Sequence, residues 1–249
     1  MEKKLMWGKI SLEKESNTEL EFPNERLILN SSKDVLSFKV ISADGNNDDS
    51  VFNRIVGTAK DFSILPALPD RTLVLKPKTA LSILPQTSFK FYVYLPVTFQ
   101  LYAGAVTNEN KIFEHGTSKL SSTWFGEPND GELCYALYTS FDTEISDTKK
   151  GNEFVICPVE ISNSSKETLE VKRLAVRGIH LNIYANHELM ISNKVKIGYH
   201  GFEKLSNVQF SKTVTSTIPN LKQIASARVP ENTTIIKRSF QLIRHITQY

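Results

Sequence analysis

Residues 89–102 alternate between apolar and polar side chains with a period of two, and this alternation constrains the fold more than any other feature of the sequence. One phase is apolar throughout: Phe89, Phe91, Val93, Leu95, Val97, Phe99 and Leu101. A period of two is typical of a β-strand with one face in a core. Because Pro96 cannot donate to a central ladder, we expect two consecutive strands here, or one strand bent at a sheet edge.

Similar patterns recur along most of the chain, separated by Pro, Gly, Asn and Asp. We predict further strands at 5–12, 18–22, 26–30, 35–42, 51–58, 72–76, 80–83, 111–114, 133–139, 153–161, 168–184, 188–199 and 207–214. No helices lie between these strands to carry parallel crossovers, so antiparallel pairing is expected. The sequence therefore predicts an all-β protein built as an antiparallel β-sandwich.

The apolar phase changes within the run from Val171 to Tyr184. Leu174 and Val176 are apolar at even positions, whereas Ile179 and the alternate residues after it are apolar at odd positions. A single inserted residue produces such a change. We therefore predict either a β-bulge at Gly178 or a break between two strands there.

The length of 249 residues is enough for more than one sandwich, since one such unit uses about 100 residues. We predict an N-terminal sandwich over 1–107, a second over 108–219 and a helical tail over 220–249. One large two-sheet sandwich across both halves is the alternative.

Asn232 to about Gln248 has the period of an amphipathic helix, with Asn232 as its cap. Four apolar residues of this helix form a candidate interface: Ile236, Phe240, Ile243 and Ile246. We expect this face to bind a protein partner or to self-associate, for example as a homodimer. The alternative, which needs no partner, is that the helix docks on the protein's own sheet. A membrane surface is less favoured, because the helix has no Trp and few cations.

The formal net charge of +3 is concentrated in the tail, where five basic residues stand against Glu231 alone. The rest of the chain is nearly balanced and lacks the dense basic stripe of a nucleic-acid binder. The first residues lack the apolar core of a secretory signal, so we expect a cytoplasmic protein with Cys134 and Cys157 as small buried side chains.

Ser122 to Tyr135 is the densest unusual segment, with two glycines and a proline between an aromatic pair and a strand. Trp124 and Tyr135 could stack on a ligand such as a sugar, and Glu127 and Glu132 could act as an acid/base pair if the turn brings them together. The alternative is a structural corner with a buried Trp124.

The remaining candidate ligand-binding residues are polar side chains around the phase change and beyond it: Arg177, His180, His200 and Glu203. The histidines have no metal-ligand spacing, and no nucleophile elbow or phosphate loop occurs, so we assign no catalytic residue, metal or cofactor. We expect a non-enzymatic binding or interaction module. The alternative is a small-molecule or carbohydrate binder or hydrolase that uses the 122–135 loop.

Three blocks of this sequence resemble domain-of-unknown-function family 432 of archaea and bacteria. They are Ser122–Leu137, Val155–Ser165 and the set running from Arg173 to Glu203, and together they place the resemblance at about 80–205. The resemblance implies no activity and no catalytic residue. It implies a link to mechanosensitive channels, beside which some relatives are encoded.

Overall fold

The computed structural model describes residues 7–11, 16–22, 25–32, 35–42, 50–55, 61–147, 151–201, 204–214, 217–229, 235–237 and 239–240. Its strands are β1 Gly8–Ser11, β2 Ser16–Glu21, β3 Glu25–Ser32, β4 Val35–Ser42, β5 Ser50–Ile55, β6 Asp61–Ala67, β7 Leu73–Pro77, β8 Leu81–Ile83, β9 Thr87–Pro96, β10 Thr98–Ala103, β11 Lys111–Gly116, β12 Ser121–Phe125, β13 Glu132–Thr139, β14 Gly151–Asn163, β15 Leu169–Val171, β16 Leu174–Val176, β17 Ile183–Ala185, β18 Leu189–Ser192, β19 Val195–Tyr199, β20 Ser206–Phe210, β21 Lys222–Ala225 and β22 Ile235–Lys237. Short 3-10 turns occupy Asn108–Asn110 and Gly178–His180.

These strands confirm the all-β class. The sheets are ordered β1-β6-β10-β11, β12-β13-β7-β16 and β2-β3-β4-β5, with a two-stranded β15-β8 pair. The largest sheet has eight strands. Seven of them follow the order β21-β17-β18-β14-β19-β20-β22, and the eighth, β9, pairs with the free edge of β14. Within the described residues no helix is long and apolar enough to cross a membrane.

Most strand pairs are antiparallel, but the expectation of wholly antiparallel pairing is wrong at three places. Strand β13 runs parallel to β7, and β14 runs parallel to both β18 and β19. In each case the chain passes through strands of other sheets before it returns. Those strands form the crossover connection that a helix forms in an α/β protein.

The alternating segment forms two strands that meet at Pro96, as one of the two expectations had it. The apolar side chains of β9, among them Phe91 and Leu95, belong to one core, whereas Phe99 and Leu101 of β10 belong to another. The corner is held by Thr117, whose Oγ1 donates to Val97 O at 2.7 Å. One unbroken sequence pattern therefore serves two cores.

The larger core lies between the eight-stranded sheet and strands β7, β8, β15 and β16. The second core packs β3 and β4 against β6 and β10. Strand pairing crosses the predicted boundary at residue 107, because β9 pairs with β14 and β10 pairs with β11. The division into domains at that position stays a prediction.

At Gly178 the structure has a break between β16 and β17, occupied by the 3-10 turn. A Cβ on Gly178 would lie 3.1 Å from Leu68 Cβ, which is tighter than most contacts of that kind. Both cysteines are free and buried. Burial raises the pKa of the Cys134 thiol to about 11 and that of Cys157 to about 12.

The described residues near the C-terminal end do not form the helix predicted from the sequence. Ile235–Lys237 is a strand that pairs antiparallel with β20, and β-branched Ile235 and Ile236 suit such a strand. Phe240 forms a bridge to Leu174 and is buried in the larger core, where its ring meets Tyr199 edge-on at 5.5 Å. Phe240 is therefore a core residue rather than a free interface residue.

The other members of the predicted interface are less informative. Ile236 lies in β22, and Ile243 and Ile246 lie outside the described residues.

Asn163, at the end of β14, joins three chain segments through its side chain and is 1% exposed. Its Nδ2 donates to Ile83 O at 2.9 Å and to Glu167 O at 2.8 Å, and its Oδ1 accepts from Ser165 N at 3.0 Å. Because Asn163→Ala leaves these buried groups without partners, we expect a loss of about 3 kcal/mol in the free energy of unfolding. Urea denaturation measures it.

The matched control is Asn129→Ala, since Asn129 is exposed in the 126–131 turn. Its unfolding free energy should change by less than about 0.5 kcal/mol. Equal midpoints for the two variants would contradict a structural role for Asn163.

Candidate functional site

A dense cluster of charged and polar side chains surrounds Glu114, in the middle of β11. The Glu114 carboxylate accepts hydrogen bonds from Lys111 Nζ at 2.7 Å and from Gln100 Nε2 at 2.9 Å, both to Oε2. Arg228 donates to both carboxylate oxygens, through Nη1 at 3.2 Å and through Nη2. Gln100 Oε1 in turn accepts from Tyr102 at 2.7 Å. We call these five residues the Glu114 network.

A β-bulge explains why Lys111 and Glu114 converge. Gln100 of β10 lies opposite Glu114, and Leu101 lies opposite Phe113, but the register then shifts so that Tyr102 lies opposite Lys111. The extra residue in β11 is Ile112. A bulge of this kind re-aims the side chains on either side of it. Gln100 and Tyr102 share one face of β10, since they are two residues apart.

Arg228 reaches the network from a distant part of the sequence. It follows β21, and the segment after that strand is fixed by Ala227 N, which donates to Asn182 Oδ1 at 2.9 Å, and by Val229 N, which donates to Ile179 O at 2.9 Å. Arg228 Nε donates to Leu68 O at 2.7 Å. Its guanidinium therefore ties the 226–229 segment to β11 and to the residue after β6.

The hydrogen bonds to Glu114 determine its charge. Burial alone would raise the pKa of this carboxyl, but the hydrogen bonds from Arg228, Lys111 and Gln100 outweigh burial and lower the pKa to about 2. Glu114 is therefore ionised at any physiological pH. Strongly shifted groups beside a cleft mark candidate functional sites, although structural ion pairs produce them too.

Two clefts adjoin the Glu114 network. The first, of about 720 Å³, lies between β6 and β10 on one side and residues 178–183 and 223–228 on the other. Aliphatic side chains make up about half of its lining, and Gln100, Tyr102, Lys111 and Arg228 are among the polar residues; we call it the aliphatic cleft. The second, of about 680 Å³, contains Glu114 and Arg228 together with charged residues of both signs, and we call it the polar cleft.

The structure brings together two of the residues proposed from sequence, Glu132 and Arg177. Arg177 Nη2 donates to Glu132 Oε1 at 2.6 Å, and Thr72 Oγ1 donates to Glu132 Oε2 at 3.0 Å. Arg177 is buried, with only 4% of its surface exposed. This arrangement joins the end of β16 to the start of β13, and it holds both oxygens of the carboxylate that was expected to act as an acid or base.

Trp124 is 47% exposed, which agrees with a ring available for contacts rather than with a wholly buried corner. Its indole Nε1 donates to Glu127 O at 3.1 Å, and Glu127 N donates to Asp130 Oδ1 at 3.2 Å. Gly131 packs so closely that an added Cβ would lie 2.3 Å from Nε1. The turn after β12 thus holds the ring in one position.

The other predicted residues are dispersed. Tyr135 lines the polar cleft, and its hydroxyl donates to Asp70 Oδ1 at 3.0 Å. His180 lies in the 3-10 turn with its Nδ1 2.9 Å from Val229 O. His200 is exposed after β19, and Glu203 lies outside the described residues. Among the described residues no group of three or more His, Cys, Asp or Glu could hold a metal ion.

Sequence reasoning missed Glu114, Lys111, Gln100 and Tyr102 as site residues, and it noted Arg228 only as part of the tail's positive charge. The available signal was weak. Gln100 and Tyr102 occupy the polar phase of the alternating segment, so a polar face on β10 was visible. The residues that meet that face depend on the register of β11 and on a contact 114 residues apart.

The depressed pKa of Glu114 predicts how stability depends on pH. An unfolded glutamate titrates near pH 4.3, so the ionised network stabilises the fold fully above about pH 5 and loses this contribution as the pH falls towards 2. We expect Glu114→Gln to lower the free energy of unfolding by about 3 kcal/mol at pH 7, and by roughly half as much at pH 3. Urea denaturation at both pH values measures this.

Glu170→Gln is the matched control, because the Glu170 side chain is 63% exposed and lies 3.5 Å from Lys172 Nζ. Its unfolding free energy should change by less than about 0.5 kcal/mol at either pH. A Glu114→Gln effect that is the same at pH 7 and pH 3 would contradict the ionised network.

Comparison with known proteins identifies the family. Neither the curated proteins nor the solved structures include a match to this chain. The profile of the family described as protein of unknown function (DUF432) matches residues 6–244, which confirms the resemblance seen in the three sequence blocks and extends it to nearly the whole chain. The chain belongs to the DUF432 family.

Proposed function

We propose that this protein is a binding module for a small organic anion with an apolar body, and that the aliphatic cleft is its binding site. The observation that carries the proposal is the composition of this cleft. Its described lining residues include two cations, Lys111 and Arg228, and no carboxylate, and the Glu114 carboxylate that pairs with both cations lies outside the lining. A cleft that combines aliphatic side chains with polar groups fixed by the fold can bind a small molecule that has an apolar body and an anionic group.

The apolar body of the ligand would lie against the aliphatic walls. Leu65 and Leu68 come from β6 and the residue just after it, and Leu181 and Ile183 come from the far side. Leu68 and Leu181 are almost wholly buried, so their side chains are held in place by the fold. A volume of about 720 Å³ suits a ligand of drug-like or metabolite size.

The anionic group would lie at the Lys111 end. Lys111 Nζ has three N–H donors and gives one to Glu114, which leaves donors for a ligand. Tyr102 donates its proton to Gln100, so its hydroxyl holds Gln100 in place and does not itself bind the anionic group. Most of the Arg228 donors are engaged by Glu114, Leu68 and Thr98, and Arg228 contributes mainly its charge and the position of the cleft wall.

The state of Glu114 supports binding rather than acid catalysis. A carboxyl with a pKa of about 2 is ionised near neutral pH and has no proton to deliver. Its hydrogen bonds fix the Lys111 and Gln100 side chains before any ligand arrives. Such pre-organisation lowers the entropic cost of binding.

The 122–135 loop is the second place for a ligand, as a carbohydrate or small-molecule site or the centre of a hydrolase. The aliphatic cleft has the stronger support. Glu132 is engaged by Arg177 and Thr72, and the Trp124 N–H is engaged by Glu127 O, so these groups already have partners within the fold.

Binding of 1-anilinonaphthalene-8-sulfonate, which joins an apolar ring system to a sulfonate, tests the proposal. We expect saturable binding to the folded chain, displaced by octanoate more readily than by octan-1-ol. Lys111→Met should weaken this binding about tenfold, because a charge-assisted hydrogen bond is lost. Ala227→Trp should weaken it as well, because the larger side chain fills the cleft.

Lys196→Met is the matched control, since Lys196 is exposed on β19 and is not among the residues that line the aliphatic cleft. It should bind the probe as the parent chain does. Unchanged affinity in both Lys111→Met and Ala227→Trp would overturn the assignment of the cleft.

A further inference from the structure

Strand β12 is the outermost strand of the sheet β12-β13-β7-β16, and no described strand pairs with its outer side. Its five residues, Ser121–Phe125, include no charged residue and no proline. Natural sheets protect their open edges with charges, prolines, bulges or covering segments. An edge without a charge or a proline is suited to pairing with another strand.

The direction of the backbone groups on this edge follows from the pairing of β13. Tyr135 N donates to Thr72 O, so the backbone groups of Tyr135 point towards β7. Since direction alternates along a strand, Cys134 points towards β12 and pairs with Thr123 through hydrogen bonds. The N–H and C=O groups of Ser122 and Trp124 therefore point to the open edge.

Two side chains beside this edge form an exposed apolar pair. Trp124 and Leu133 lie directly opposite each other on one face, 47% and 48% exposed. The indole is already held against Gly131 and hydrogen-bonded to Glu127 O. A ring held in place in this way loses little further freedom when a partner covers it.

We propose that a second copy of this chain pairs antiparallel with β12, about a two-fold axis that passes beside Thr123. In this register Ser122 lies opposite the partner's Trp124, and Trp124 lies opposite the partner's Ser122. The outward backbone groups of these residues then form four hydrogen bonds, and Thr123 faces its own copy as a non-hydrogen-bonded pair.

The β12 edge fits a second copy of itself, and for this reason we propose another copy of the chain as the partner strand. The small Ser122 side chain leaves room for the bulky indole opposite it, and a two-fold axis makes this fit twice. Each Trp124 indole then lies between Leu133 of its own chain and Ser122 of the other copy, and Tyr135 of the other copy is next in the same row. Thr–Thr pairs across antiparallel strands are favourable. The aliphatic cleft involves neither β12 nor β13, so this interface is independent of the proposed ligand.

Sedimentation velocity of the full chain tests the interface. We expect a dimer of twice 28.1 kDa whose dissociation depends on concentration. Thr123→Lys should weaken dimerisation at least tenfold, because it places two like charges face to face on the axis. Ser82→Lys is the matched control, since it adds the same charge at an exposed position on β8, and it should dimerise as the parent chain does.

A charge-reversal pair makes the test specific to this register. Thr123→Glu alone should also dimerise poorly, but an equimolar mixture with Thr123→Lys should recover a heterodimer. Ser122→Pro should also weaken dimerisation, because it removes an N–H that points to the open edge and leaves the hydrogen bonds between β12 and β13 intact. The proposal is overturned if the parent chain is a monomer at about 100 μM, or if Thr123→Lys dimerises as tightly as the parent chain.

Discussion

Pairing along both edges of β14 is the constraint on which the rest of the structure depends. This strand of 13 residues pairs antiparallel with β9 on one side, and parallel with β18 and then with β19 on the other. Because β14 needs two short strands to cover one edge, the sheet divides into two arms. One arm leads through β17 to β21, and the other leads through β20 to β22. The segment that carries Arg228 directly follows β21 and is therefore positioned by β14.

The Glu114 network is where the two cores are tied together. Gln100, Tyr102, Lys111 and Glu114 belong to the sheet of the second core, whereas Arg228 comes from an arm of the eight-stranded sheet. A guanidinium with several fixed partners is stiff, since each hydrogen bond constrains the plane of the group. The aliphatic cleft is the space that this tie leaves between the two sheets.

The parts of the fold that were predictable depend on local chemistry. Pro96 marks the end of a strand because it lacks an N–H, and the phase change near Gly178 marks a break because alternation is a property of each strand by itself. The strand at 121–125 was missed because Ser and Thr leave its alternation weak. The helix predicted from Asn232 failed where Ile235 to Lys237 found a partner in β20, since tertiary pairing outweighs a helical period in a short segment.

The candidate site was mostly beyond prediction, since it depends on register and on distant contacts. The bulge that sets Lys111 opposite Tyr102 leaves no mark in composition, and Arg228 meets Glu114 only after the eight-stranded sheet has formed. This late contact has a consequence for synthesis on the ribosome. Strands β10 and β11 emerge more than 100 residues before Arg228, so a nascent chain carries Glu114 without its main counter-ion. The wall of the aliphatic cleft formed by residues 223–228 is therefore added only after the β6–β10 wall has emerged, and a chain that stops before residue 223 lacks this wall even where its first sheets are complete.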